Sequence, residues 1–117
     1  MSDLKKMTAD VQKFCEERDW DQFHTFKDVA IGLVTESAEL LDLFRFKSEE
    51  QCRAIMKDDS KREEVSDELA DILFFILRFA QRGGIDLNQA LASKLEKNRA
   101  KYPVEKARGS NKKYDEF

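Results

Sequence analysis

Glycine and proline are scarce along this chain. Its 117 residues contain four Gly and one Pro, whereas a β-sandwich or barrel needs many such residues at its tight turns. Apolar residues make up 41% of the sequence, which is enough for a hydrophobic core, and the length is that of one domain. We therefore predict an all-α fold with long helices and a single domain over residues 1–117.

Apolar residues recur at helical spacing in four long segments. We predict one helix in each segment, namely over residues 3–18, 27–46, 61–82 and from 86 or 88 to 102. Gly83-Gly84 and Pro103 are typical stop signals for the third and fourth helices. The side chains predicted to face the core from the second and third helices are Val29, Leu33, Val34, Leu40, Leu41, Phe44, Val65, Leu69, Ile72, Leu73, Ile76 and Ala80.

The segments between and after these helices carry other signals. Ser48, with Glu50 and Gln51 behind it, fits a capping box, so we expect a short helix to begin there. Residues 19–27 contain three aromatic side chains without helical periodicity and are predicted to form a connecting loop. Residues 104–117 are predicted to form a polar, basic tail.

Charge and cysteine usage exclude several classes of protein. The net charge of −3 offers no general attraction to nucleic acid or to an anionic membrane. Cys15 and Cys52 show no CxxC spacing, which argues against a zinc site or a disulfide framework. The longest apolar run, residues 72–77, is far shorter than the roughly 20 residues of a membrane span. We expect a soluble, cytoplasmic protein with neither a nucleic-acid nor a membrane partner.

The charges are unevenly distributed along the sequence. Residues 94–113 carry eight basic side chains against two acidic ones, so the rest of the chain is strongly acidic. This asymmetry suggests a site where metal-binding carboxylates and phosphate-binding cations meet. A self-complementary oligomer would show the same asymmetry.

Two predicted helices each carry a pair of acids beside their apolar stripe. At about 100° per residue, Glu36 and Glu39 flank the stripe of the second helix, and Glu68 and Asp71 flank that of the third. If these helices are adjacent and antiparallel, four carboxylates share one pocket. Like charges in such a pocket must take up protons or be neutralised by cations. Oxygen ligands favour Mg²⁺, with Mn²⁺ as the alternative.

Two other interpretations of these acids are open at this point. Most glutamates on amphipathic helices are simply solvated, and the two pairs can form such a face. A di-iron centre in a four-helix protein is disfavoured, because it uses Glu-x-x-His motifs. The chain has a single histidine, His24, and it does not lie in such a motif.

Five sequence elements follow one another between Trp20 and Tyr114: W-x-x-F-H, E-S-A-E-L, D-E-L-A-D, K-x-x-x-N-R-x-K-Y-P and R-G-S-x-x-K-Y. In this order they resemble the motifs of the MazG-like all-α nucleotide pyrophosphohydrolases, in particular the dCTP pyrophosphatase branch. The resemblance implies a four-helix bundle completed by oligomerisation to a dimer or tetramer. It also implies hydrolysis of a deoxynucleoside triphosphate, preferably a pyrimidine such as dCTP, to a monophosphate and diphosphate, for house-cleaning or pool control.

The resemblance also implies roles for individual residues. Glu36, Glu39, Glu68 and Asp71 stand at the positions of the family's metal-binding acids, and either Glu36 or Glu39 would act as the base toward the attacking water. The positions implied to contact the substrate are Trp20 and His24 at the base, Phe46 as a second aromatic residue, Phe75 near the sugar, Lys94 and Asn98 at the phosphates and sugar, and Arg108, Lys113 and Tyr114 in a closing segment.

Three positions depart from the pattern of the dCTP-specific relatives. Phe46 stands in place of a tryptophan, Phe75 in place of a tyrosine and Val11 in place of a base-contacting histidine, so strict dCTP selectivity is not implied. Trp20 and His24 can alternatively pack at the rim of the core, and the tail can be flexible. Two alternative functions are a non-catalytic helical interaction module and a hydrolase of the same fold that acts on another phosphoanhydride.

Overall fold

Six α-helices and two short 3-10 helices form the regular structure of residues 3–117, which the computed structural model describes. These residues contain no β-strand, so the predicted all-α class is confirmed. None of their helices has both the length and the apolar character needed to cross a membrane. The α-helices are α1 Asp3–Glu17, α2 Phe26–Asp42, α3 Glu49–Ile55, α4 Asp59–Gly83, α5 Leu87–Lys101 and α6 Val104–Ala107, and the 3-10 helices are Asp21–Phe23 and Tyr114–Glu116.

Local side-chain signals set the ends of several helices. The predicted capping box opens α3: the Gln51 amide donates to Ser48 Oγ over 3.1 Å, and the Ser48 amide donates to Gln51 Oε1 over 2.8 Å. Asp86 accepts a hydrogen bond from the Gln89 amide at the start of α5. After α4, Gly84 adopts φ 66°, a left-handed conformation that glycine adopts readily. The third and fourth predicted helices therefore have nearly their predicted ends.

The structure differs from the prediction at one helix end and in two connecting or terminal segments. The second helix ends at Asp42 instead of residue 46, because turns follow and Phe46 adopts φ 63°, which is incompatible with a continuing helix. The predicted loop of residues 19–27 contains the 3-10 helix Asp21–Phe23 and the start of α2. The predicted tail contains α6. The 3-10 helix and α6 are too short to show helical periodicity in a sequence.

The chain divides into two compact units, one ending at Gly84 and the other comprising Ile85–Phe117. In the first unit, α4 packs against α2 and α1. The rings of Phe26 and Phe79 lie 5.2 Å apart, so the start of α2 lies beside the end of α4 and the two helices run antiparallel. A single domain over residues 1–117 stays a prediction.

Gly32 of α2 lies directly against a side chain of α4. A Cβ atom at this position would lie 2.5 Å from Cε1 of Phe75, so a larger residue would require the ring to move. The core of this unit is small, and its buried members are Cys15, Val29, Ile55, Val65, Leu77, Arg78 and Ala80.

Part of each predicted core stripe is exposed. Val34 and Leu41 of α2 are 68% and 62% exposed, Leu69 of α4 is 52% exposed, and Leu73 and Ile76 are each 36% exposed. The prediction that these five side chains face the core is wrong for the isolated chain. Periodicity identifies an apolar face but not what covers it, and α2 and α4 carry apolar residues on more sides than the chain itself buries.

The second unit contains α5, α6 and the end of the chain. The rings of Tyr114 and Phe117 lie edge-on to Tyr102, with ring centres 6.0 and 5.9 Å away. The Nζ atom of Lys101 lies 4.8 Å from the centre of the Tyr114 ring. Residues at the end of the chain therefore pack against the end of α5.

Candidate active site

Three of the four predicted metal-binding acids converge where α2 packs against α4. One carboxylate oxygen from each of Glu36, Glu39 and Glu68 lies within 4.8 Å of the others. Glu36 and Glu39 lie three residues apart on one side of α2, and the antiparallel α4 brings Glu68 to their level. Glu36 and Glu68 are half-buried, whereas Glu39 is exposed. We call these three residues the acidic cluster.

Asp71 lies outside the acidic cluster. It is exposed, and its negative charge is one of the causes that raise the pKa values of Glu36 and Glu68. The predicted pocket of four carboxylates is therefore a group of three with a fourth charge nearby. Asp71 lies about 60° further round α4 from the apolar stripe than Glu68 does, and its side chain is shorter. A role for Asp71 as a metal ligand stays a prediction.

The acidic cluster contains buried oxygen atoms that lack hydrogen-bond donors. Oε2 of Glu36 and Oε2 of Glu68 are both buried and have no partner. Burial, the adjoining Glu39 carboxylate and the charge of Asp71 raise the pKa of Glu36 to about 7. Burial, followed by the charge of Glu39, also raises the pKa of Glu68. Because a buried carboxylate without a donor is costly, the cluster favours the uptake of protons or of a cation.

The donor set of the acidic cluster fits a divalent cation. All its donors are carboxylate oxygens, the ligands that Mg²⁺ and Mn²⁺ prefer. A cation would offset the repulsion between the carboxylates and provide the partner that the two buried oxygens lack. A purely solvated acidic face does not describe Glu36 and Glu68, because each has an oxygen withdrawn from water.

A run of aromatic rings connects Phe75 to the segment that carries Trp20 and His24. Ring centres lie 5.3 Å apart between Phe75 and Phe74, and 5.9 Å apart between Phe74 and Phe14. The run continues from Phe14 to Trp20 over 5.6 Å and from Trp20 to His24 over 5.9 Å. Two residues predicted at the base and one predicted near the sugar thus belong to one continuous run of rings.

Phe46 occupies a different environment from that run. Its side chain is 92% exposed, and the guanidinium of Arg45 lies 4.5 Å from the centre of its ring. A left-handed backbone is uncommon for a bulky residue and costs free energy. The high exposure leaves the Phe46 ring available to a ligand or to another chain, and its contact with substrate stays a prediction.

The remaining predicted substrate ligands lie in the second unit. Lys94 and Asn98 lie one turn apart on α5, where Lys94 is exposed and Asn98 is half-buried. Arg108 and Lys113 are exposed, whereas Tyr114 packs against Tyr102. Their roles at the phosphates and the sugar stay predictions that rest on the resemblance.

Arg78 is a buried charged residue that the sequence analysis missed. Its side chain is fully buried on α4. Nε donates to Nδ1 of His24 over 2.8 Å, Nη1 donates to Oε1 of Gln81 over 2.6 Å, and Nη2 pairs with the carboxylate of Asp21. Arg78 is the one charged residue among the otherwise apolar positions 72–80, and this isolated charge was the sequence signal that could have indicated a buried functional residue. We call Arg78 with Asp21, His24 and Gln81 the Arg78 network.

Known proteins are similar to this chain in sequence and in fold. Residues 31–117 match the MazG-like family. The dCTP pyrophosphatase 1 of Mus musculus is 36% identical over this whole chain, which covers 67% of that protein, and the Homo sapiens protein of the same name is 34% identical with the same coverage.

A solved structure supports the same relationship. The crystal structure of a pyrophosphatase from Archaeoglobus fulgidus matches with a TM-score of 0.81 and 29% identity, over 88% of this chain and 94% of that one. These relatives carry names that agree with the activity predicted from the motifs. Together with the family match over residues 31–117, they confirm the predicted family: this chain belongs to the MazG-like family.

Proposed function

We propose that this chain is a divalent-metal-dependent pyrophosphohydrolase of deoxynucleoside triphosphates, with a pyrimidine nucleotide such as dCTP as its preferred substrate. The reaction adds water across the α–β phosphoanhydride and yields a deoxynucleoside monophosphate and diphosphate. The observation that carries the proposal is the convergence of the acidic cluster, with two buried oxygens that have no donor. The names of the relatives, dCTP pyrophosphatase 1, support the substrate class.

The acidic cluster would hold the cation, and Asp71 would contribute a fourth negative charge beside it. Bound Mg²⁺ or Mn²⁺ supplies positive charge for the phosphate oxygens and lowers the pKa of a water ligand. Either Glu36 or Glu39 takes the proton of the attacking water. Glu39 is the member of the cluster that is open to solvent, whereas Glu36 has the more buried carboxylate.

The run of aromatic rings would bind the base and the sugar. The face of Trp20 is suited to stack on a pyrimidine, and Phe75 offers an apolar ring to the deoxyribose. Val11 is half-buried and offers no polar group to a base. We therefore propose a preference for pyrimidine nucleotides without strict selectivity for dCTP.

Binding of the triphosphate would need positive charge as well as the cation. The resemblance assigns this charge to three basic residues and adds an amide and a phenol as further ligands. The residues assigned to this role are Lys94, Asn98, Arg108, Lys113 and Tyr114. Replacing Lys94 or Arg108 by alanine is expected to raise KM for dCTP more than it lowers kcat, since these side chains bind phosphates without joining the chemistry.

We also propose that the chain assembles into a homodimer or homotetramer. Ile31 and Val34 are 53% and 68% exposed on α2, beside an apolar hollow of about 360 Å³ that Lys27, Ala30 and Thr35 complete. Contiguous exposed apolar side chains of this kind mark interfaces, and a two-fold dimer buries the same patch of both copies. Val34→Asp should lower the mass measured by sedimentation equilibrium, whereas the control Lys13→Asp should not. A monomeric wild-type chain would contradict this assembly.

The activity is tested with a panel of canonical and modified nucleotides, each with and without Mg²⁺. Diphosphate and orthophosphate are measured separately, because diphosphate identifies cleavage between the α and β phosphates. We expect diphosphate and a monophosphate to form only with the divalent ion, fastest with a pyrimidine deoxynucleotide. Release of orthophosphate would indicate β–γ cleavage. No turnover of any nucleotide would contradict the proposed function and leave the interaction module as the alternative.

A further inference from the structure

A buried cation holds the single histidine of the chain. Arg78 is fully buried, and its Nε donates a hydrogen bond to Nδ1 of His24 over 2.8 Å. A ring nitrogen that accepts a hydrogen bond carries no proton, so the neutral imidazole has its proton on Nε2. Arg78 thereby selects both the charge state and the tautomer of His24.

The charged and titratable groups around His24 favour the same state. The pKa of His24 is lowered mainly by burial, then by the positive charge of Arg78, and further by Arg82, whereas Asp21 opposes this effect. Cys15 of α1 lies near Arg78 and Asp21, and burial raises the pKa of its thiol, which keeps it uncharged. Two cations and one carboxylate therefore act on the imidazole, and their net effect favours its neutral form.

Arg78 also fixes the short turn that carries the predicted base contacts. Its Nη2 pairs with Asp21, the first residue of the 3-10 helix Asp21–Phe23. The amide of His24 donates to the carbonyl oxygen of Trp20 over 3.1 Å. One guanidinium therefore ties both ends of this turn to α4, which sets the positions of Trp20 and His24 before any ligand binds. Such preorganisation reduces the entropy lost on binding.

The second ring nitrogen of His24 remains available. Among residues 3–117, no group bonds Nε2, and Nε2 is not one of the buried atoms that lack a partner. It is therefore an N–H donor that is open to solvent, on a ring 5.9 Å from that of Trp20. Pyrimidine bases carry a carbonyl oxygen at position 2, and cytosine also carries an unprotonated ring nitrogen, so both classes of acceptor suit this donor.

We propose that Arg78 is a positioning residue, which holds His24 as a fixed hydrogen-bond donor at Nε2 for an acceptor atom of a nucleobase stacked on Trp20. The identity of the ligand rests on the proposed function, whereas the state of His24 does not. Arg78 itself contacts His24, Asp21 and Gln81, and it acts on the base through His24.

The state of His24 can be measured directly because the chain has one histidine. In ¹⁵N-labelled protein, the chemical shifts of the two ring nitrogens show which one carries the proton. We expect a titration midpoint below the ordinary value for histidine and, at pH values above that midpoint, a single neutral form protonated at Nε2. A proton on Nδ1, a mixture of tautomers or a midpoint at the ordinary value would overturn the proposal.

The variant Arg78→Lys tests whether the positioning of His24 matters for nucleotide binding. Arg82→Lys is its control. Lysine keeps the charge but lacks the planar fork that bonds His24 and Asp21 together. We expect Arg78→Lys to give a mixture of tautomers and to raise KM for dCTP about tenfold, equivalent to one hydrogen bond, with kcat within about twofold of the wild type. Arg82, whose Nη1 lies 3.7 Å from Oδ2 of Asp21, does not bond His24, so Arg82→Lys should leave both readouts unchanged.

The outcomes separate this proposal from the proposed function. The positioning role would be overturned if Arg78→Lys kept the wild-type tautomer of His24 and the wild-type KM for dCTP. It would also be overturned if Arg78→Lys and Arg82→Lys had equal effects. The fluorescence of Trp20, the one tryptophan of the chain, shows whether the turn keeps its structure in each variant. If Arg78→Lys does not fold, the wild-type nitrogen spectrum decides alone. Absence of turnover with every nucleotide would contradict the proposed function but not the assigned state of His24.

Discussion

The acidic cluster and the Arg78 network both withdraw charged groups from water, but only one of them satisfies those groups within the chain. The three kinds of guanidinium nitrogen of Arg78 each have a protein acceptor. In the acidic cluster, two buried oxygens have no donor, and the pKa of Glu36 rises to about 7. A buried charge with internal partners positions structure, whereas one without them requires a partner from outside.

The largest effect is expected on activity when an acid of the cluster, or the neighbouring Asp71, is neutralised. Glu36→Gln, Glu68→Gln and Asp71→Asn should each lower the rate of diphosphate release from dCTP by more than about 100-fold, since even residues that support metal ligands cost 10–100-fold when replaced. The control is Glu64→Gln, which removes an exposed carboxylate one turn away on α4. Circular dichroism should show an unchanged helix content. Normal turnover in the cluster variants would show that these acids do not carry the reaction.

The next largest effect is expected on stability, and it distinguishes the two regions. Arg78→Met leaves Nδ1 of His24 and Oε1 of Gln81 without a donor, which should lower the free energy of unfolding by about 1–3 kcal/mol. The control Arg82→Met removes a partly exposed cation and should cost less than about 1 kcal/mol. Urea denaturation measures both values. Equal losses would mean that the bonds made by Arg78 contribute nothing beyond its charge.

Several helix ends and the position of the acids beside the apolar stripes were predictable from sequence, because their causes are local. Ser48 and Asp86 cap the helices that follow them, and the spacing of Glu36 and Glu68 places each beside the apolar stripe of its own helix. The contacts of Arg78 were not predictable in the same way. They join Arg78 to His24 and Asp21, which precede it in the chain by 54 and 57 positions. Helical periodicity carries no information about contacts at that separation.

The exposure of particular side chains was also beyond the sequence. Val34 and Leu69 have the periodicity of core residues and are nevertheless exposed, because periodicity does not show which apolar face meets a neighbouring helix and which stays exposed. The left-handed conformation of Phe46 has no signature either, since the residue there is not glycine. Prediction fails here because the cause lies in packing between elements.

A smaller effect is expected from Glu36→Gln on the stability of the metal-free protein. The pKa of Glu36 is raised from 4.5 to about 7 in the folded chain, so between these values the folded state holds a proton that the unfolded state has lost. The stability of the wild type therefore falls as pH rises through this window, whereas the glutamine variant has no such group. The variant should match the wild type near pH 4.5 and exceed it by about 1 kcal/mol above pH 7.

Thermal denaturation at a series of pH values, in the presence of a chelator, measures this difference. The control Glu64→Gln should follow the wild type at every pH. Addition of Mg²⁺ should remove the advantage of the glutamine variant, because the cation offsets the repulsion in the wild type. A difference that is independent of pH would contradict the raised pKa of Glu36.

The smallest effect is expected from His24 in the Arg78 network. Here the stability of the folded chain falls as pH is lowered, which is opposite to the effect of Glu36. Burial and the charge of Arg78 lower the pKa of His24, so the folded chain resists a proton that the unfolded chain takes up below its ordinary value of 6.5. Glu36→Gln removes the larger of the two opposing carboxyl effects, and that of Glu68 remains in every protein compared. Adding His24→Asn to this background should remove a loss of melting temperature that grows as pH is lowered from about 7 to about 5. An unchanged dependence on pH would show that His24 does not contribute to it.

Calorimetric titration of the metal-free protein with Mn²⁺ or Mg²⁺ shows whether a divalent cation is the partner that the buried oxygens of the acidic cluster lack. We expect heat of binding in the wild type and in Glu64→Gln, and its loss in Glu36→Gln and Glu68→Gln. Binding heat of the same size in all four proteins would place the cation elsewhere. The absence of binding in the wild type, with or without a nucleotide, would contradict the account.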